Sequence, residues 1–405
     1  MLPVTKNRDT LRIKLMRSVA EKNKHLYKLF LIGGIIILFS GIFFLYKFDL
    51  IPFRIFTIED PLTKVHIIAA GDAMCHPAQT ANAKKSIDDS YDFSGSFQYL
   101  TDILAKGDLN IVNLETTIAG APYSGFPHFC APDEYAAALQ NAGFNFFMLA
   151  NNHCADKGTD GAILTIEKLQ NMQIPSAGTY LNEQDREERY PALIEIKGIR
   201  ISLLNYTHST NGFTVKKPVS INMLYDTKQI KEDLESAKNQ QPDVIIVFLH
   251  WGNEFEQTPD MEQKVFAKLL FKNGADIIIG SHPHVVQPVE YFSYDETDPT
   301  KKKLIYWSLG NLISDQKEEY TDAGILASFT ITKDKNTNHI QIENQTTIPF
   351  WVYRNASLHP GFFVLPAENF LNESATLTFG FSDKDYAVFQ RSVDNVNKTL
   401  SKNDE

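Results

Sequence analysis

Asp, Glu, Asn and His recur at one kind of position in this 405-residue chain, directly after short apolar runs. Gly71-Asp72-Ala73-Met74 follows one run, and another brings Asn113 and then, directly after it ends, Glu115. Asn151-Asn152-His153 follows a third, with Asp156 three positions on. His250, the His282-Pro283-His284 triplet and Gly310-Asn311 follow the rest. Singly, each has an ordinary role: an Asp after a strand makes a turn or caps a helix. Gathered on one edge, carboxylate, amide and imidazole groups form a donor set suited to a divalent transition metal. His282 and His284 are the strongest fragment. At a spacing of two on an extended segment both rings face one way, and Pro283 stiffens the link. Two ions about 3.5–4 Å apart would share a carboxylate and activate water against an ester. Such chemistry needs no GxSxG elbow and no Walker-type loop, and the sequence has neither.

The elements that must position these residues read as alternating strands and helices. Strands are expected at 65–70, 109–114, 145–150, 243–249, 276–280 and 304–309. Helices are expected at 97–106, 133–143, 160–172 and 261–274, with Gly143 and Gly274 as C-terminal caps. Segments 192–196 and 200–206 look like a hairpin around Lys197-Gly198-Ile199. Such alternation argues an α/β fold, and ligands of α/β sheets bind outside the carboxyl ends of the strands. After Asp315 two antiparallel strands complete a sheet edge, followed by a helix and a frayed tail.

GDAM, NLET, LANNHCADKG, HWGNEF, GSHPHVVQPVE and SLGN, in this order, resemble the CapA family of capsule-synthesis proteins over roughly residues 64–315. That family includes membrane proteins of poly-γ-glutamate production, and its fold is similar to the calcineurin-like metallophosphoesterases. The resemblance implies a four-layer αββα sandwich over residues 62–315, with 316–405 adding strands and a tail. It also implies two divalent ions (Mn, Zn, Fe or Mg) held by Asp72, Glu115, Asn152, His250, His282 and His284. His153 becomes the general acid or transition-state donor, and Asn113, Asn311 and His76 accessory residues. Two departures stand out. Met74 occupies the position where phosphoesterases carry a His, which His76 or Cys75 would have to replace, and Glu115 stands where they place a bridging Asp.

Charge divides the chain. Residues 1–28 hold eight Lys or Arg against two acidic groups, while the remainder carries 31 basic and 47 acidic side chains. A domain that acidic does not grip nucleic acid by neutralising phosphates. Residues 29–46 are 18 in a row without charge, just enough helix to cross a hydrocarbon core of about 30 Å. The basic flank sets the N-terminus in the cytoplasm and the main domain outside the cell membrane. No small-x-small cleavage site follows, so the span reads as a retained single-pass anchor. Three cysteines form no CxxC pair, and Cys75 and Cys154, each after a site motif, are the pair that would meet in a disulfide. Trp251 reads as packing at the site rim and Asp156 as a loop cap.

The leading functional expectation is capsule or poly-γ-glutamate biosynthesis or export, with an anionic polymer and other membrane synthase subunits as partners. An acidic domain attracts a polyanion only through bound cations or a local basic groove around Lys301, Lys302 and Lys303. The alternatives are an extracytoplasmic metal-dependent phosphoesterase and a non-catalytic scaffold of a membrane synthase.

Overall fold

The computed structural model describes residues 23, 24, 27, 28, 31–35, 60–355, 361–371 and 380–401. The chain divides into two compact units, Met1–Asp60 and Pro61–Glu405. In the first, residues 31–35 are helical; the remainder of the expected 29–46 span lies outside the described residues. Among the described residues no helix is long and apolar enough to cross a membrane.

The second unit is built on two large sheets. Strands β1 (Leu62–Ala73), β2 (Leu109–Leu114), β3 (Phe146–Met148) and β4 (Ser176–Ala177) run parallel in the first. β5 (Thr179–Tyr180) and β8 (Ser220–Ile221) pair separately. β6 (Ala192–Ile196), β7 (Ile199–Thr207), β9 (Val244–His250), β10 (Ile277–Ser281), β11 (Val289–Ser293) and β12 (Lys302–Tyr306) form the second, ordered β11-β12-β10-β9-β7-β6. There β7, β9, β10 and β12 are mutually parallel. The chain then returns to the first sheet through β13 (Asn311–Ile313), β14 (Ala323–Asp334), β15 (Ile340–Asn355) and β16 (Gly361–Pro366). β14 pairs antiparallel along β1 from Leu62 to Ala69.

Alternation along β1 shows how the layers stack. Val65, Ile67 and Ala69 enter one core with Ile201, Leu203, Ile246 and Ile278 of the second sheet. Ile68 and Ala70 point the opposite way, onto Phe97, Leu104, Tyr135 and Leu139. With both faces covered, the strand is a nearly continuous apolar run. The outer face of the second sheet is covered by helices Thr227–Asn239 and Met261–Lys272 through Ile230, Leu234, Phe266 and Leu270. The result is the expected α/β sandwich of helices, sheet, sheet and helices. Helix Met261–Lys272 starts at an Asp260 cap, its side chain accepting from Gln263 N–H, and the turn after it closes at Gly274 with φ 117°.

Some elements differ from the sequence reading. The expected 97–106 helix is three short turns, Ser94–Phe97, Gln98–Leu100 and Thr101–Leu104. The β6–β7 hairpin forms, but β7 continues beside β9 as a parallel strand, so its end also faces the shared edge. Helix Asp383–Leu400 packs on β15 and β14, with Phe389 stacked on Trp351 at 5.1 Å.

Candidate metal centre

Both sheets end their parallel strands at one place, and there the donor residues meet. Asp72 is set by a close crossing: its N–H donates to Gly310 O at 3.1 Å. A side chain at Gly71 would put a Cβ 1.9 Å from that same oxygen, so only glycine lets β1 pass. The Asp72 carboxylate accepts from Asn113 Nδ2 (2.8 Å) and from the His282 backbone N–H (3.1 Å). His284 Nδ1 lies 3.1 Å from Asp72 Oδ2 and 3.0 Å from Asn311 Oδ1. Asn311 spends its amide hydrogens on Gln316 and Thr321, so its oxygen faces the ring. Two acceptors at Nδ1 place the proton there, which leaves the Nε2 lone pair of His284 free as a ligand.

His250 joins the two halves. Its Nε2 lies 2.9 Å from Asn152 Oδ1, 3.1 Å from His282 Nδ1 and 3.5 Å from Glu115 Oε1. Its Nδ1 meets Ser281 Oγ at 3.1 Å. Potential ligand atoms fall into two groups, Asp72–Glu115–His250 and Glu115–His282–His284, each within 4.8 Å. Glu115 belongs to both. It is completely buried, and neither of its oxygens has a hydrogen-bond partner. A buried carboxylate in that state is costly unless a cation meets it.

The electrostatics follow from this crowding. Burial, and then the Asp72 charge, push the Glu115 carboxyl well above its usual range. Burial would raise Asp72 too, but the His284 hydrogen bond, the adjoining imidazoles and the Asn113 hydrogen bond hold it at about 2. Burial drives His250 and His282 well below the usual imidazole value, so both are neutral, as ligand imidazoles must be. The donor set therefore fits divalent ions: neutral imidazoles, one ionised carboxylate and a second stripped of partners between them.

The expected site residues do not all gather. Asp72, Glu115, Asn152, His250, His282 and His284 meet in the cluster, with Asn113 and Asn311 holding Asp72 and His284. His76 stands apart: it caps helix Pro77–Ala83 and its Nε2 meets Ser314 Oγ at 3.1 Å. Cys75 bonds Thr80 instead, so neither residue replaces the His that Met74 displaces. The expected extended segment at His282 and His284 is absent. Both have positive φ, 97° and 60°, a left-handed backbone rare for side-chain-bearing residues and tolerated where packing over-determines it. Cys75, Cys130 and Cys154 are all free and buried, so the Cys75–Cys154 disulfide is not formed. Trp251 packs as expected, buried and stacked on Trp307 at 5.6 Å in the wall beside His208. Lys301, Lys302 and Lys303 sit where β12 begins, the sheet edge opposite the cluster, and Lys301 and Lys303 pair with Asp295 and Asp276.

Two residues gain roles that sequence reading did not give them. Asp156 is no simple cap: its Oδ2 lies 2.7 Å from His153 Nδ1 and accepts from Phe129 N–H at 2.6 Å. It thereby fixes the His153 ring, whose Phe129 neighbour meets it edge-on at 4.6 Å. His208 follows β7, its ring centroid 4.3 Å from that of His282.

The family described as bacterial capsule synthesis protein PGA_cap matches residues 66–316, which contain all of this cluster. The chain belongs to that family. PGA_cap relatives include the capsule biosynthesis protein CapA of Bacillus anthracis, 30% identical over 215 residues, covering 52% of this chain and 49% of the relative. The PGA biosynthesis protein CapA of Bacillus subtilis is 29% identical over 245 residues, 59% of this chain and 61% of the relative. The match thus spans about half to three-fifths of these PGA_cap proteins' own length. Among solved structures, the calcineurin-like phosphoesterase YfkN of Bacillus subtilis superposes with a TM-score of 0.42 at 11% identity, covering 83% of this chain and 100% of that one. A 5'-nucleotidase precursor of Thermus thermophilus gives 0.42 at 11%, covering 78% and 58%.

Proposed function

We propose that Pro61–Glu405 is the working unit of a membrane-anchored PGA_cap protein that binds two divalent cations and handles an anionic polymer, poly-γ-glutamate in the first instance, during its synthesis or export. The ions (Mn, Zn, Fe or Mg) would be held by Asp72, Glu115, Asn152, His250, His282 and His284. The observation that carries the reading is Glu115, buried, shared by both ligand groups and without a hydrogen-bond partner. In a domain this acidic, the ions also supply the positive charge that a polyanion needs to approach. The basic leader and the apolar run at 29–46 support an anchor with the large unit on the outer side, working beside other synthase subunits. Metal analysis of the detergent-purified full chain tests this. Two equivalents are expected in the wild type and none in a His282→Ala, His284→Ala variant, with γ-glutamate polymer binding lost in parallel. A wild-type chain that retains no divalent ion sinks the reading.

A second reading, hydrolysis of a phosphoester outside the membrane, is favoured by the His153–Asp156 pair. Asp156 holds Nδ1, so Nε2 is the nitrogen that exchanges a proton with a leaving group. Ions at the centre would supply Lewis-acid polarisation of the phosphoryl oxygen. Metal-dependent turnover of a generic phosphodiester is then expected, falling about 10²–10⁴-fold in His153→Ala. Full metal loading without any turnover would remove this reading and leave the first standing.

A further inference from the structure

A cavity of about 130 Å³ opens beside the metal centre, lined by His208, Tyr225, Trp251, Asp260, Glu262 and Phe266 among others. His208 separates the two spaces, one ring thick, with its centroid 4.3 Å from that of His282. Its Nδ1 sits 2.9 Å from His250 O. A carbonyl oxygen only accepts, so Nδ1 carries the hydrogen and Nε2 is left as a bare acceptor. Among the described residues nothing donates to that nitrogen.

The rest of the lining points to the same chemistry. Tyr225 and Phe266 meet at 5.7 Å and 70°, an edge-to-face pair at the mouth, and Tyr225 is exposed. The Glu262 carboxylate lies beside the Tyr225 hydroxyl. Glu262, Glu254 and Asp260 are all near enough for their charges to act on His208. No Lys or Arg lines the cavity. Aromatic rings, an acceptor lone pair and a negative field with no internal cation form a receptor for a small positive group. The volume equals about four waters at liquid density, enough for an ammonium and the carbon that bears it.

We propose that this cavity binds the primary ammonium group of the ligand handled at the adjoining centre. The proposal rests on the polymer reading above and sharpens it. A γ-linked glutamate chain carries a carboxylate on every residue but a single ammonium, at its amino end. The domain therefore recognises the polymer by that end and sets the first linkages against the metal centre, rather than gripping the chain along its length.

Calorimetric titration of the full chain in detergent with a short γ-linked glutamate oligomer, amino end free or acetylated, tests it. Acetylation should weaken binding about tenfold. Tyr225→Ala and Glu262→Gln, exposed and outside the metal cluster, should weaken the free oligomer and leave the acetylated one unchanged. Equal affinity for both oligomers overturns the proposal while the polymer reading stands. If neither oligomer binds, the polymer reading fails, and saturation-transfer NMR with propylammonium decides the cavity separately. Transfer that both substitutions abolish supports it; no transfer, or transfer they leave untouched, overturns it.

Discussion

Asp233 and Glu115 are both buried carboxylates of one folded unit, with surroundings that differ in kind. Asp233 receives two bonds from Arg186 Nη2 (2.8 and 2.7 Å), one from the Tyr206 hydroxyl (2.8 Å) and one from the Gln229 amide (3.0 Å). Arg186 in turn donates to Asn222 and lies over the Tyr190 ring. Every member has its partner. Glu115 has imidazoles at 3.5 and 3.9 Å and no hydrogen bond at all. The fold can satisfy a buried carboxylate completely, so one left without hydrogen bonds at the strand ends marks a place for a partner from outside the chain.

The largest effect should come from breaking the satisfied cluster. Asp233→Ala strands the Arg186 guanidinium and should cost about 3–5 kcal/mol of stability, read as a fall in the denaturant midpoint with or without metal. A loss near zero would mean that the network is ornamental and the comparison empty. Glu115→Gln should behave in the opposite way. Metal-free, it should unfold no earlier than wild type, because it removes a carboxyl that nothing satisfies. The stabilisation by added divalent ion, about 4 kcal/mol at a thousandfold excess over Kd, should vanish. A Glu115→Gln chain that still gains Tm on metal addition would put the binding elsewhere.

The smallest effect is the pH profile of the metal-free protein, and its sign can be worked out. His250 and His282 are neutral when folded and take up a proton near 6.5 when unfolded, so stability rises with pH up to about 6.5. Glu115 is the reverse: its folded value is raised, so the folded state holds a proton that the unfolded chain loses near 4.5. Its contribution falls as pH rises from there through the raised folded value. Two histidines outweigh one glutamate below about 6.5, and Glu115 alone acts above it, which gives a maximum near that pH. Thermal melts across pH 5 to 9 should show a declining alkaline limb in wild type that Glu115→Gln flattens. A limb that persists in the variant would assign it to other groups.

Much of this was legible in the sequence, for identifiable reasons. β2 matches its expected bounds, 109–114, because both faces are buried and the apolar run stops where burial stops. The strand-end rule found six residues that meet although they come from two sheets. It failed at β7, whose hairpin with β6 hid the fact that it continues parallel to β9, and so His208 went unseen. Helix Thr227–Asn239 was missed because Ile230, Leu234 and Ala237 are a thin apolar stripe among Lys and Glu. The left-handed backbone at His282 and His284 has no local signal, since neither residue is glycine and the conformation is imposed by tertiary contacts. Asp156 did carry a signal, three residues from His153, that a turn reading concealed.

The ligands are divided between the sheets, with Asp72, Glu115 and Asn152 from one and His250, His282 and His284 from the other. Asp72 and His284 are 212 positions apart in the chain. An ion held by ligands from both sheets would be a cross-link closing a very long loop, and the entropy of such a loop must be lost before any coordination bond forms. Such an ion could not guide either sheet into shape. A bound metal would be acquired last, as a rivet through a sandwich already assembled, and its removal should loosen the seam between the sheets before it disturbs either one.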